Sequence, residues 1–267
     1  MVVLVTGANG QLGQSLQFIA KNHLDIKFVF CSSSDLDITI KENCQAVFAK
    51  YKPNFCINAA AYTAVDKAET ETEKAYLINV EGAKNIAEAC KEHNTVLLHI
   101  STDFVFDGTK TEPYTTEDAT NPLGVYGKTK LQGEQAIQNT WEKHYIIRTS
   151  WVYSHFGNNF YKTMLRLAQE RDEISVVNDQ IGCPTNAVYL AKFLVKIVEI
   201  KPQDISFGIY HFSGDEVMSW YDFALKIFAE NKITIKVNPI PTSAYPTPAK
   251  RPAYSVLNNF QRQNRLE

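Results

Sequence analysis

A chain of 267 residues, 45 % of them hydrophobic, is long enough for one large domain, or for one domain and a small lobe. Its net charge is −2 with both signs interspersed, so it offers no basic stripe for nucleic acid and no polybasic patch for a membrane surface. No apolar run approaches the ~18 residues that a membrane-spanning helix needs.

The N-terminus enters a strand directly, without a charged-then-apolar leader. Cys31, Cys44, Cys56, Cys90 and Cys183 are an odd number, widely spaced, with no CxxC pair. They read as reduced, mostly buried thiols, and the expected location is the cytoplasm. Metal-ligand spacing is absent, and His99 and His211 read as hydrogen-bonded core residues of strands.

Val2–Thr6 is a β-branched run that stops at Gly7. Gly7-Ala8-Asn9-Gly10-Gln11-Leu12-Gly13 follows, then apolar residues at helical spacing, Leu12, Leu16 and Ile19. Strand, glycine turn and helix in that order suit a pyrophosphate: glycines let the backbone approach, and the helix start offers free N–H groups. The spacing is GxxGxxG rather than the usual GxGxxG. Ile26–Phe30 reads as a second strand, followed by Cys31, Ser32 and Ser33. The absence of a carboxylate there predicts that NADPH is accepted at least as well as NADH. Asp37 is a candidate acceptor for an adenine amino group with Ile38 against the ring, or an N-cap for a helix over about 40–51.

Phe55–Asn58 is a third strand ending in Ala59-Ala60-Ala61, small residues that let a flat ring approach. A helical stretch then runs to about His93, with Asn79 as a polar residue inside it. The fourth strand, 95–100, ends at Ser101-Thr102-Asp103. The loop 104–121 and Pro122 precede a helix to about Gln138 that carries Tyr126 and Lys130. A Tyr and a Lys four apart share one helix face. A nearby ammonium favours tyrosinate, so Tyr126 is expected to be a stronger acid than free Tyr and a proton donor to a carbonyl that receives a hydride. Thr102 is placed to bond both the substrate oxygen and Tyr126.

His144–Arg148 is a fifth strand. Beyond it the spacing predicts a helix around Met164–Ala168, a strand over Ile174–Val177, an apolar helix over Tyr189–Ile200, then strand Gly208–Phe212, helix Trp220–Ala229 and strand Ile233–Asn238, with a proline-rich tail. The expected architecture is α/β: a Rossmann-like, doubly wound parallel sheet with a smaller C-terminal substrate-binding lobe. The dinucleotide-binding domain is expected over 1–150, with a returning helix near 186–200, and the lobe over 151–267.

GxxGxxG, Asn58-Ala59-Ala60, Ser101-Thr102-Asp103 and Tyr126-x-x-x-Lys130, in that order, resemble the extended short-chain dehydrogenase/reductase superfamily. Finer strings resemble its dTDP-4-dehydrorhamnose reductase family: Ala61-Tyr62-Thr63-Ala64-Val65-Asp66-Lys67-Ala68-Glu69, Arg148-Thr149-Ser150-Trp151-Val152-Tyr153, Gly157-Asn158-Asn159-Phe160 and the segment 241–249. The resemblance covers nearly the whole chain. It implies an oxidoreductase that uses NADPH or NADH to reduce the C4 keto group of a dTDP-sugar, dTDP-4-dehydro-β-L-rhamnose, to dTDP-L-rhamnose for polysaccharide biosynthesis. It implies Tyr126 as proton donor, Lys130 tuning it and holding the nicotinamide ribose, and Thr102 adjusting the Tyr126 hydroxyl. Gly7, Gly10, Gln11, Leu12, Gly13, Asp37, Ile38, Ala60, Ala61, Tyr62 and Thr63 would line the cofactor. Thr102, Asp103, Trp151, Asn158 and Arg251 would face the sugar nucleotide, Arg251 with a surface salt bridge as its other reading. A reductase of another 4-keto nucleotide sugar and a cofactor-binding regulatory subunit without turnover stay open.

Where metal-bridged dimers of the family carry Glu, this chain has Ser15 and Val188, so no metal is expected and a homodimer is left open. The family also implies a final helical stretch beyond Leu266-Glu267.

Overall fold

The structure, a computed structural model, describes residues 1–200 and 205–259; the chain end at Leu266-Glu267 lies outside the described residues. Strands β1 (Val2–Thr6), β2 (Lys27–Phe30), β3 (Phe55–Asn58), β4 (Val96–Thr102) and β5 (His144–Thr149) form one sheet. Every pair in it is parallel. Helices α1 (Gln11–Ala20), α2 (Lys41–Tyr51), α3 (Val65–Ala68), α4 (Thr72–Tyr76), α5 (Gly82–Glu92) and α6 (Val125–Thr140) connect these strands.

Successive strand residues point to opposite faces, and both faces are covered, so the strands read as near-continuous apolar runs. Val3, Val5, Leu98 and Ile147 pack under α1. Leu4, Cys56, Leu97 and Ile146 pack under α2 and α5. Burying one such aliphatic side chain is worth ~1.5–3 kcal/mol, which fixes the strand register.

The lobe contains β6 (Val152–Tyr153), α7 (Phe160–Glu170), β7 (Glu173–Val177), β8 (Ile181–Gly182) and β9 (Thr185–Asn186). Then α8 (Ala187–Glu199) returns and packs on α1. A strand returns with it. β10 (Gly208–His211) pairs with β5 and completes a six-stranded sheet in the order β10-β5-β4-β3-β1-β2. The expected division at residue 150 allowed only for the helix. Buried Tyr210, packed on Tyr145, draws the strand in as well. The lobe resumes with β11 (Met218–Ser219), α9 (Trp220–Glu230) and β12 (Lys236–Ile240), around a core of Met164, Ile174, Val176, Phe223 and Ile227.

The expected helical stretch to about His93 contains, between α4 and α5, a π-helical turn, Leu77–Glu81, which gives Asn79 a task described below. Two local expectations are corrected. The last strand lies over Lys236–Ile240 and contains Pro239, because a two-stranded edge pairing tolerates a missing N–H. Asp37 is not an N-cap. The cap position of α2 is Ile40, and Asp37 Oδ1 accepts from the Thr39 amide at 2.9 Å and the Thr39 hydroxyl at 2.7 Å.

The order reverses between β1 and β3, and ligands of such sheets bind at the carboxyl ends near that point. Among the described residues, no helix is long and apolar enough to cross a membrane.

Candidate active site

One cavity of about 1120 Å³ lies along the carboxyl ends of the sheet strands and under the lobe. Single small-ligand sites span ~300–1,000 Å³, so this one is larger than a site for one small ligand needs to be. Of the site residues expected from sequence, all but Tyr62 line it.

At one end is the glycine turn. Gly7 has φ +65°, and a Cβ there would stand 2.7 Å from the Ala59 backbone; a Cβ on Gly13 would stand 2.4 Å from the Gly7 carbonyl oxygen. Only glycine fits this cradle. Gly10 caps α1 without a side chain, which leaves the first N–H groups of the helix open to an anion. The cradle thus suits a pyrophosphate. Gln11 supplies backbone here, because its side chain is turned to the lobe. Its Oε1 accepts from Asn159 Nδ2 at 2.8 Å and from the Ser154 hydroxyl at 3.2 Å.

The end of β2 differs from the expectation. Ser32 and Ser33 do line the cavity, but the chain turns back and brings a carboxylate to Ser32. Asp35 Oδ2 accepts from the Ser32 amide at 2.9 Å and the Ser32 hydroxyl at 2.6 Å. These hydrogen bonds lower the Asp35 pKa, so a fixed negative charge stands where none was expected.

Ala60, Ala61 and Thr63 form the floor after β3. Tyr62 turns away: its ring packs with Ala68 and Ala75, and its hydroxyl donates to Glu71 Oε2 at 3.1 Å. Asn79 holds this loop. Its Oδ1 accepts the Tyr62 amide at 2.9 Å, and its Nδ2 faces the Tyr62 carbonyl and the Thr129 hydroxyl of α6. The π-helical turn aims that buried side chain inward.

In the middle are Thr102, Asp103, Tyr126 and Lys130. Thr102 ends β4, donates to Asp103 Oδ1 at 3.0 Å and accepts from the Phe104 amide. Asp103 is buried, and that burial pushes its pKa up to about 6 against the Ser255 and Thr102 hydroxyls; its Oδ2 makes no hydrogen bond of good geometry among the described residues. Tyr126 sits in the first turn of α6, edge-on to Phe104 at 5.6 Å. Here the expected acidity is corrected. Burial pushes Tyr126 up to about 12, with the Thr102 hydroxyl opposing and the Asp103 charge adding to the rise. Lys130 does not offset it, because its Nζ is turned to the Ile100 carbonyl at 2.7 Å and to His99 Nε2 at 3.2 Å. Burial pulls Lys130 itself down to about 8, against the charge of Glu134.

The string around Asp66 works as a clamp. Glu69 Oε1 accepts from the Val125 amide at 2.8 Å, capping the helix that carries Tyr126. Asp66 takes Arg251 in a two-pronged pair at 2.8 and 3.1 Å and also accepts from the Ala249 amide. Arg251 therefore lines the cavity already paired.

At the far end, Trp151 holds φ +47°, an uncommon conformation for a bulky residue. Its indole lies flat on Trp220, centroids 3.5 Å apart and planes within 5°, with Phe160 4.6 Å from Trp220. Asn158 and Thr149 complete this wall. Trp220, Phe160 and Thr149 were not foreseen. Trp220 is 69 positions from Trp151, and nothing in local spacing joins them.

Ser15 is buried with its hydroxyl bonded to the Gln11 carbonyl, and Val188 packs on the core under α8. Among the described residues no three His, Cys, Asp or Glu side chains cluster as metal ligands would.

The chain matches the protein family described as the RmlD substrate binding domain over residues 1–266. A dTDP-4-dehydrorhamnose reductase of Aggregatibacter actinomycetemcomitans is 47% identical over 264 residues, 96% of this chain and 90% of that protein. The crystal structure of a dTDP-4-dehydrorhamnose reductase from Clostridium acetobutylicum superposes with a TM-score of 0.94 at 44% identity, covering 98% of this chain and 92% of that one. A dTDP-4-dehydrorhamnose reductase from Bacillus anthracis, solved in complex with NADP, gives a TM-score of 0.94 at 41% identity, with the same coverage of 98% and 92%.

Proposed function

This chain belongs to the dTDP-4-dehydrorhamnose reductase family, and we propose that it catalyses the NAD(P)H-dependent reduction of the C4 keto group of dTDP-4-dehydro-β-L-rhamnose to dTDP-L-rhamnose. The observation that carries this reading is one continuous cavity with the glycine cradle at one end, Tyr126 in the middle and the paired indoles at the other.

A bound nicotinamide supplies the hydride. Tyr126 supplies the proton. It is protonated across the physiological range, and the alkoxide forming on the sugar is a stronger base than tyrosinate, so the transfer runs downhill even with the pKa near 12. The Thr102 hydroxyl, turning its hydrogen from Asp103 Oδ1, then donates to the phenolate left behind. Lys130 presents an N–H to the cofactor ribose. Asp103 offers Oδ2 to a sugar hydroxyl, and Trp151 with Trp220 forms a flat apolar wall that orients the sugar nucleotide and excludes water. The test is cofactor oxidation against a panel of 4-keto nucleotide sugars with the product identified. Turnover is expected with dTDP-4-dehydro-β-L-rhamnose, and turnover only with another sugar would move the chain to a sibling reaction.

Asp35 bears on cofactor choice, since a 2′-phosphate at Ser32 would meet its charge. Asp35→Asn is expected to raise the ratio of kcat/KM for NADPH to that for NADH, and Ser32→Asp to lower it. Two unchanged ratios would place the 2′ position elsewhere.

The reaction as read needs no divalent cation, since Tyr126 and Lys130 supply proton and charge. A hydroxyl at 15 and an isopropyl group at 188 are poor ligands for a hard cation. Activity and light-scattering mass are both expected to be unchanged by EDTA. A mass that halves with EDTA and recovers with Mg²⁺ would reveal a bridge built from other carboxylates. The five buried, unpaired thiols suit a reducing compartment, and the proposed location is the cytoplasm. A homodimer, if formed, is held by apolar helix faces.

A further inference from the structure

Four polar side chains run in a line beneath the cofactor crevice, one each from β1, β3, β4 and α6, none more than 2 % exposed. The Ala60 amide donates to Thr6 Oγ1 at 3.2 Å, and the Thr6 hydroxyl donates to Asn58 Oδ1 at 2.6 Å. Asn58 Nδ2 lies 3.1 Å from His99 Nδ1, and His99 Nε2 lies 3.2 Å from Lys130 Nζ. Lys130 also donates to the Ile100 carbonyl at 2.7 Å.

Counting donors and acceptors gives the line a direction. Thr6 holds Asn58 Oδ1, so the amide shows His99 its NH₂, which can only donate. Nδ1 is therefore the bare nitrogen. Burial, the largest cause, holds the His99 pKa well below its ordinary value, and Lys130 when charged lowers it further, so the ring is neutral whichever form Lys130 takes and its one hydrogen sits on Nε2. That hydrogen faces Lys130. An ammonium has three donors and no acceptor and cannot receive it, whereas an amine can.

We propose that His99 is a positioning residue that ties the charge of Lys130 to the orientation of the Asn58 amide. With the amide as it stands, Nε2–H donates to Lys130 as the amine. With the amide turned over, Nδ1–H donates to Asn58 Oδ1, the bare Nε2 accepts from Lys130 as the ammonium, and Thr6 Oγ1 accepts from Asn58 Nδ2 as its own hydrogen turns away. In both states Lys130 keeps its bond to Ile100 and has one N–H left for the cleft. The proton that distinguishes the states exchanges with water there. The proposal deepens the reading above, in that it rests on Lys130 serving the cofactor site.

The ionisable groups around Lys130 fit a switch near neutral pH. Its own pKa lies near 8. Glu134, the next turn of α6, is paired with Arg148 of β5. Tyr126, the turn before, stays protonated, and Asp103 after β4 acts on Tyr126. His144 at the start of β5 acts on His99.

Nitrogen-15 NMR of histidine-labelled, cofactor-free protein reads the His99 tautomer without any turnover. The expected result is hydrogen on Nε2 above about pH 8 and on Nδ1 well below it, in a ring that is neutral throughout. One tautomer at every pH, or an imidazolium signal, would overturn the proposal. Asn58→Asp gives a kinetic readout. A carboxylate accepts only from Nδ1–H, which leaves Nε2 bare and keeps Lys130 charged. The alkaline limb of kcat/KM against pH is then expected to rise by about one pH unit or more. An unmoved limb in folded Asn58→Asp protein contradicts the proposal, and if that variant does not fold, the tautomer measurement decides. His99→Gln, whose amide can present either oxygen or nitrogen, is expected to keep the wild-type limb, and His99→Leu to lose it. A tautomer that switches in a protein without reductase activity would sink the functional reading and leave the positioning role standing.

Discussion

Tyr126→Phe is expected to lower kcat by ~10²–10⁴-fold while leaving the fold and cofactor affinity unchanged. The substitution removes one oxygen and keeps the ring, which packs edge-on against Phe104. What is lost is the proton delivered to the developing alkoxide. Water could enter in its place, but without the orientation that α6 and the Thr102 hydroxyl give the phenol. The loss should therefore fall on kcat, with the cofactor dissociation constant, read by fluorescence titration, unchanged. A variant with kcat within a few-fold of the parent would remove Tyr126 from proton donation.

Arg148→Met is expected to destabilise the fold by ~3–5 kcal/mol. Arg148 and Glu134 are almost completely buried, and the guanidinium holds the carboxylate through Nε at 3.0 Å and Nη2 at 2.7 Å. Ser101 donates to the same carboxylate. Without the guanidinium, a buried carboxylate would keep that hydroxyl alone. The pair joins α6 to β4 and β5 eight residues along the helix from Tyr126, so its loss also loosens the catalytic face. Arg148 Nη1 has no partner among the described residues, so even the native pair is not fully compensated. Replacing both residues, as Glu134→Leu with Arg148→Met, should recover much of the loss. Urea denaturation measures both variants. A loss under ~1 kcal/mol for Arg148→Met would show that packing, not the ion pair, holds α6.

Features that are local in sequence were legible before the fold was known. The glycine turn declares itself because its strand and helix are contiguous, and Tyr126 and Lys130 because a helix brings i and i+4 together. What depends on a turn doubling back, or on distant segments meeting, was not. Asp35 reaches Ser32 across three residues of turn, so a strand end that reads as uncharged acquires a carboxylate. Glu69 caps a helix 56 positions later, and Trp220 meets Trp151 because the lobe closes over the sheet. The acidity of Tyr126 departs from the sequence expectation for another reason. Helical spacing brings Lys130 near, but burial dominates the tyrosine, and the ammonium is drawn to Ile100 and His99.

The central claim is hydride delivery to a sugar carbonyl in this cavity. Its most direct measurement uses a cofactor dideuterated at the nicotinamide C4, incubated with dTDP-4-dehydro-β-L-rhamnose, with the product analysed by NMR and mass spectrometry. The account predicts dTDP-L-rhamnose carrying one deuterium, at C4 of the sugar. Product without deuterium at C4, or cofactor that binds and is never oxidised, would contradict it.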